Sequence, residues 1–307
     1  MKSLLVGSTG FVGGNLMLSH DFEASCNSRN IKDFFGSYPD LCIYAGIPAE
    51  MFLANNNPEA DLNIMREARK NIACINPKQL VLISSVAVYK DSSGKNENSI
   101  METDGLPAYG ADRLQLEQWI REDYPKALII RLPALYGVGL KKNFLYDLHS
   151  ITPSMLTVKK YDELKRKSPL VESGYSLKDN GFYCINGSVD AKALRNFFMN
   201  NDFNALSFTD SRSKYQFYSL SRLWNDIQTG LENRLTVLNL CTPPVTAQKV
   251  YEVVTGVSDW HNETGKIPLN YDMRSLYADK FGGIDGYLCL EEEELEGIYS
   301  FMASWRD

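Results

Sequence analysis

Tyr109 and Arg113 lie four residues apart in a stretch, Tyr109 to Glu122, that reads as a polar helix with Leu114, Leu116, Trp119 and Ile120 available for packing. That spacing sets the phenol and the guanidinium on one helical face. Upstream, Ser84 and Ser85 close the apolar run Gln79 to Ile83. A hydroxyl and a phenol brought beside a nicotinamide would couple proton transfer to hydride transfer. Taken singly, the serines are equally an ordinary polar strand end, and Tyr109 a surface aromatic. The stretch MKSLLVGSTGFVGG, Met1 to Gly14, adds a place for a nucleotide: the apolar Leu4-Leu5-Val6 runs into Gly7, Gly10 and Gly13. Glycines between a buried strand and a helix permit a tight turn, close approach of backbone to a pyrophosphate, and close helix–strand packing. The free N–H groups at the helix start would hold the anion. A glycine-rich turn with packing value alone is the competing reading.

These residues need a scaffold, and the remaining apolar runs supply one. Phe22 to Cys26, Asp40 to Gly46, Gln79 to Ser85 and Ala127 to Leu132 read as further strands. They alternate with helical stretches, one running from Asn57 toward Ile75 and stopping before Pro77. Such alternation predicts an α/β fold, a doubly wound parallel (Rossmann) sheet with right-handed crossovers. Ligands of such sheets bind outside the carboxyl ends of the strands. The glycine turn, the small pair Ala45-Gly46 and Ser84-Ser85 all fall at strand exits. Val237 to Leu240 reads as the last sheet strand, with Tyr215 to Trp224 returning the chain to the sheet. The acidic run Glu291 to Glu294 reads as a solvated helix start, where carboxylates suit the helix dipole.

Composition narrows the function. A chain of 307 residues with 44% hydrophobic and 23% charged residues is an ordinary globular protein, large enough for one α/β unit or two lobes. A net charge of −6 argues against a nucleic-acid footprint. The first residues are too short and glycine-rich for a signal peptide, and no apolar run reaches about 18 residues. A soluble cytoplasmic protein with no membrane partner is therefore expected. The six cysteines are scattered without a C-x-x-C pair, and the three histidines show no ligand spacing with them, so reduced thiols and no metal are expected.

The ordered motifs GSTGFVGG (Gly7 to Gly14), YAG (Tyr44 to Gly46), NPEADLNIM (Asn57 to Met65), LISSVAVY (Leu82 to Tyr89), YGADR (Tyr109 to Arg113) and IIRLPALYG (Ile129 to Gly137) make the chain similar to a known group. It resembles the extended short-chain dehydrogenases/reductases, the NAD-dependent epimerase/dehydratase family acting largely on nucleotide-activated sugars. The resemblance covers roughly residues 1 to 140. It implies that Ser85 hydrogen-bonds the reacting oxygen, Tyr109 is the general acid/base, and Asn63 supports the proton relay. It implies cofactor contacts at Gly7, Thr9, Gly10, Phe11, Val12, Gly13, Ala45, Gly46, Ile83, Ser84, Tyr109, Arg113, Leu132 and Pro133. Arg131 and Tyr136-Gly137 would border the nicotinamide and the mouth of the substrate pocket. It also implies a dinucleotide-binding domain, 1–140 with 208–241, a substrate-binding lobe, 141–207 with 242–307, and a homodimer as the common assembly.

Three departures shape the functional expectation. The family carries lysine four residues after the tyrosine, where this chain has Arg113. Arginine keeps the charge but is a longer, planar fork, so contacts to the nicotinamide ribose need not be reproduced. The tip of the second strand reads Asn27-Ser28-Arg29-Asn30, with no carboxylate before Asp33. An acid about 20 residues beyond the glycines would mark NAD. Ser28 and Arg29 could instead accept a 2′-phosphate, which favours NADP. Val86-Ala87 stands where the family's dehydratases carry Asp-Glu, leaving a sugar-nucleotide reductase or epimerase as the expected enzyme. The alternative is a regulatory or scaffold protein that kept the nucleotide pocket and lost catalysis.

Overall fold

The computed structural model describes residues 2–305. Met1, Arg306 and Asp307, which the expected domain limits include, lie outside the described residues. Five apolar runs form strands β1 (Ser3–Val6), β2 (Ala24–Cys26), β3 (Leu41–Tyr44), β4 (Gln79–Ser85) and β5 (Leu128–Leu132). With the strand Val237–Asn239 they build a six-stranded sheet in the order Val237–Asn239, β5, β4, β3, β1, β2. Every neighbouring pair is parallel. The fold is the expected doubly wound α/β sheet. The chain passes from β1 to β2 on one side and then to β3 on the other, so Val6 pairs with both Cys26 and Tyr44. A crevice opens where strand order reverses in this way.

Helices α1 (Phe11–Ser19), α2 (Met51–Asn56), α3 (Pro58–Ile75) and α4 (Ala108–Asp123) join these strands. Leu4, Cys42, Leu80 and Ile129 pack with Met65, Ile72 and Ile75 of α3 and with Leu116 and Ile120 of α4. Their neighbours Leu5, Ile43, Val81 and Ile130 pack with Leu16 of α1 and with Leu223 and Ile227 of the helix Leu223–Glu232. Both sheet faces are therefore covered, which is why these strands read as continuous apolar runs without alternation. Helix α3 starts at Pro58, with the Asn57 side chain accepting the Ala60 N–H at 3.3 Å. It stops at Asn76, whose φ of 52° is the left-handed cap that asparagine tolerates. Its buried stripe is Asp61, Met65, Ala68, Ile72 and Ile75, an apolar stripe with one carboxylate in it.

Two expectations about the later chain are corrected. Phe217–Ser219 adds no strand to the main sheet; it pairs in parallel with Ala134–Tyr136 in a separate two-stranded sheet. The acidic run does open a helix, Glu291–Ser304, and Glu291 to Glu293 are exposed, but Glu294 is only 3% exposed. Its Oε1 accepts the Phe217 backbone N–H at 2.7 Å and the Thr242 hydroxyl at 3.0 Å. Burial pushes this carboxyl well above the usual range.

By contacts the described residues fall into two units. One holds the chain up to Leu140 with Lys214–Val245 and Asn270–Ile298; the other holds Lys141–Ser213, Thr246–Leu269 and the chain from Tyr299. Residues 270–298 thus group with the sheet by contacts, while the family resemblance places 242–307 in the substrate-binding lobe. The second unit contains a three-stranded antiparallel sheet, Met155–Leu156, Tyr183–Ile185 and Tyr175–Leu177. Its own core gathers Leu156, Leu164, Val171, Leu194 and Phe198. No helix among the described residues is long and apolar enough to cross a membrane.

Candidate functional site

The glycine turn after β1 is shaped by contacts that exclude side chains. Gly7 has φ +93°, and a Cβ there would stand 2.6 Å from the carbonyl of Ala45. A Cβ on Gly13 would stand 2.1 Å from the Gly7 oxygen, because α1 presses directly on the turn. Gly10 is looser: its Cβ would meet only the Gly7 oxygen, at 3.3 Å. The N–H groups of Gly7 and Ser8 are bound to the Cys26 carbonyl, and that of Gly10 to Gly7. No side chain caps α1. Its first-turn N–H groups therefore have no helical acceptor and are available to an anion.

Above this turn lies a cavity of about 650 Å³, within the usual size of a small-molecule site. It is lined by Gly7, Thr9 and Gly10, by Asn27, Ser28 and Lys32 beyond β2, and by Tyr44 to Pro48 beyond β3. Asn63, Glu67 and Asn71 of α3 complete the wall. Burial pushes the Tyr44 phenol up to about 12, with the Asn71 side chain bonded to it. The cavity sits at the carboxyl ends of β1, β2 and β3, at the reversal in strand order. Of the residues expected to hold a cofactor, Gly7, Thr9, Gly10, Ser28, Ala45 and Gly46 line it.

Arg29 does not line it. Its side chain is exposed, and its backbone N–H closes a turn on Asn27 Oδ1 at 2.9 Å. The cation in the cavity wall is Lys32, which sequence reasoning passed over. Ile31 was the available signal: an apolar residue three beyond Ser28, buried as an anchor, fixes where its neighbour Lys32 emerges. Phe11 and Val12 pack against the core in the first turn of α1 rather than lining the cavity.

The proton-transfer candidates are placed by β4, β5 and α4. Ser85 ends β4 in register with Leu132 of β5, and Ile83 and Leu132 are buried while Pro133 is half-buried. The Ser85 hydroxyl accepts the Ala87 N–H at 3.2 Å. Ser84, expected beside the cofactor, points into the protein and donates to Glu117 Oε1 at 2.7 Å. Tyr109 opens α4, and Gly110 lets that helix approach the 86–88 turn so closely that a Cβ would stand 2.1 Å from the Ala87 oxygen. The Tyr109 backbone N–H donates to Asn55 Oδ1 at 2.9 Å, while its hydroxyl has no hydrogen-bond partner among the described residues. Asn63 stands apart from this group, exposed on α3 in the cavity wall and accepting from Arg66 at 2.7 Å.

Arg113 is 3% exposed and does not line the cavity. Its Nη1 donates to Asp61 Oδ2 at 2.6 Å and to the Tyr109 carbonyl at 2.9 Å, and its Nη2 donates to the Pro48 carbonyl at 2.7 Å. The guanidinium carbon lies 3.4 Å from the centre of the Tyr109 ring. Asp112, beside it, bonds to Asp61 on α3; burial first, then this like-charged neighbour, pushes the Asp112 carboxyl up to about 6. Arg131, expected to border the nicotinamide, is corrected to a core residue at 1% exposure. It grips Glu117 (Nη2–Oε2 2.6 Å) and donates to the Tyr89 hydroxyl at 2.7 Å. Tyr136 is buried, and the half-buried Gly137 packs so closely on Asn15 that a Cβ would stand 2.6 Å from its Oδ1.

A glycine turn feeding a helix, with a cavity at the reversal of a parallel sheet, defines a Rossmann-type fold. The sequence matches the RmlD substrate binding domain family over residues 1–160, more than half the chain. The chain belongs to that family, and with it to the extended short-chain dehydrogenases/reductases. Among solved structures it is similar to a hypothetical dTDP-4-dehydrorhamnose reductase from Sulfolobus tokodaii, at 17% identity and TM-score 0.61, covering 97% of this chain and 99% of that one. RMD from Pseudomonas aeruginosa, complexed with NADPH, matches at 15% identity and TM-score 0.61 over 99% and 100% of the two chains. A UDP-N-acetylglucosamine 4-epimerase from Bacillus cereus matches at 14% and TM-score 0.57 over the full length of both. At these identities the likeness establishes the fold. No curated protein matches the sequence.

Proposed function

We propose that the chain is an NAD(P)-dependent oxidoreductase acting on a nucleotide-activated sugar, as a reductase or an epimerase. The observation that carries this reading is the glycine turn and uncapped α1 opening onto the 650 Å³ cavity at the strand-order reversal. The cradle suits a dinucleotide: the turn admits no side chain at Gly7 or Gly13, and the wall is mostly apolar, with polar groups at Thr9, Asn27, Ser28, Asn63, Glu67 and Asn71 and one lysine at the β2 end. Thr9, Gly10 and the α1 N–H groups would hold the diphosphate. Ser28 and Lys32 would meet the ribose 2′ position, and Lys32 favours NADP through a charge-assisted bond to a 2′-phosphate. Ala45 and Gly46 would let the cofactor lie against backbone. The bound cofactor supplies the hydride. Tyr109 would transfer the proton at the reacting oxygen and Ser85 would hydrogen-bond that oxygen. The names of the similar structures support a nucleotide-sugar substrate.

The test is a fluorescence titration with NADPH and NADH, followed by NADPH oxidation with dTDP-4-dehydrorhamnose as first substrate. Tyr109→Phe should keep cofactor affinity and lose turnover by about 10²- to 10⁴-fold, the usual contribution of a positioned acid. If neither cofactor binds, the reading fails. The second reading, a nucleotide-binding protein without catalysis, is favoured by the Arg113 guanidinium being committed to Asp61 and to the Pro48 carbonyl. Cofactor binding with no turnover on any nucleotide sugar would select it.

A further inference from the structure

Arg113 stands where the sequence resemblance calls for a cofactor contact, yet its bonds run elsewhere. It reaches α3 through Asp61, the segment after β3 through the Pro48 carbonyl, and its own helix start through the Tyr109 carbonyl and ring. Pro48 is part of the cavity wall. The same segment is tied to α4 a second time, through Asn55 Oδ1 and the Tyr109 N–H.

We propose that Arg113 is a positioning residue whose cation, held by Asp61, clamps the cavity wall at Pro48 to the first turn of α4 and fixes the plane of the Tyr109 ring. A lysine cannot replace it. One ammonium on a flexible stem can satisfy Asp61, but it lacks the planar fork that reaches Pro48 at the same time and stacks on the phenol. Asp61 is the residue that makes the arginine necessary. It sits on the apolar stripe of α3 with Arg113 as its charge partner at 2.6 Å. Beside it, Asp112 Oδ2 has no hydrogen-bond partner among the described residues.

The proposal rests on reading the cavity as a cofactor site, so its test has one arm that needs no cofactor. Hydrogen exchange of the full chain is compared for the wild type, Arg113→Lys and Asp61→Asn, following the segment 45–56 with β4 and β5 as internal reference. Both variants should exchange that segment about 10-fold faster, a local opening cheapened by one lost anchor, with the reference strands unchanged. In the second arm both should bind NADPH about 10-fold more weakly, because the wall is loosened rather than a contact removed. Should Asp61→Asn also open the reference strands, Arg113→Lys, which keeps the charge, decides the first arm. Unchanged exchange in Arg113→Lys overturns the clamp. Affinity that holds in both variants also overturns it, and affinity that rises in Arg113→Lys while Asp61→Asn binds normally overturns it and makes residue 113 a direct cofactor contact. A wild type that binds no NADPH while its variants still loosen at 45–56 sinks the cofactor reading and leaves the clamp standing.

Discussion

Replacing Arg131 with methionine should destabilise the sheet-bearing unit far more than the loss of one surface charge. Glu117 is 0% exposed and receives Arg131 Nε at 3.0 Å on Oε1 and Nη2 at 2.6 Å on Oε2. Without the arginine, its charge keeps only the Ser84 hydroxyl and Arg121, whose side chain is 43% exposed. Breaking a buried pair on one side costs about 3–5 kcal/mol, because the remaining charge stays out of water. At about 2–4 °C per kcal/mol for chains of this size, Tm should fall by roughly 6–20 °C. The double variant Arg131→Met/Glu117→Leu removes both charges and should recover about 2–3 kcal/mol, short of full recovery because Ser84 loses its acceptor and Tyr89 one donor. Urea unfolding followed by tryptophan fluorescence, with thermal scans alongside, measures all three proteins. A single variant costing below about 1 kcal/mol, or a double variant no better than the single, would refute the claim that Glu117 depends on this cation.

The glycine turn gives a paired expectation. Gly13→Ala drives a Cβ to 2.1 Å from backbone and should cost about 1–3 kcal/mol or more, whereas Gly10→Ala should fold normally and lose cofactor affinity only, as thermal scans and NADPH titration would show. For the cofactor choice, Lys32→Ala should weaken NADPH about 10-fold and leave NADH unchanged, while Arg29→Ala should do neither; equal losses for both cofactors would remove Lys32 from the 2′ position. The raised carboxyls make stability fall with rising pH. Asp112, facing Asp61, Arg113 and Arg66, stands at about 6 against 3.8 unfolded, so its contribution is full below 3.8 and lost as pH rises through 6. Asp112→Asn should remove that slope between pH 4 and pH 7 in urea titrations, leaving a second one from Asp147, which burial lifts to about 7.

The strands were legible because burial on both faces writes itself into sequence as unbroken apolar runs. β1, β4 and β5 stand within a residue of where those runs place them, and α3 ends at Ile75, before Pro77. The glycine turn was legible for a similar reason: backbone contacts at Gly7 and Gly13 leave one residue type. The partners of charged groups were not. Arg113 meets Asp61 across 52 positions and Arg131 meets Glu117 across 14. No local period encodes such pairings, so a family position was read as a family contact. Asp61 on an apolar stripe, and Tyr109, Arg113 and Glu117 at successive four-residue steps on α4, were the available hints that charge was being buried. Phe217–Ser219 was misplaced because a three-residue apolar strand fits a small sheet as well as a large one. Lys32 was missed because its role depends on how the chain bends after β2.

The Asp61–Arg113 pair also constrains the order in which this chain could change. Losing Asp61 first would strand a cation that is 3% exposed, with Asp112 as a neighbouring acid. Losing Arg113 to lysine first keeps a cation opposite Asp61 and gives up only the fork. A path from this sequence toward the family's usual lysine therefore runs through position 113 before position 61, and the reverse path must acquire the acid before the arginine. The two positions behave as one inherited trait with a direction, so chains that carry arginine at the place of Arg113 should carry an acid at the place of Asp61.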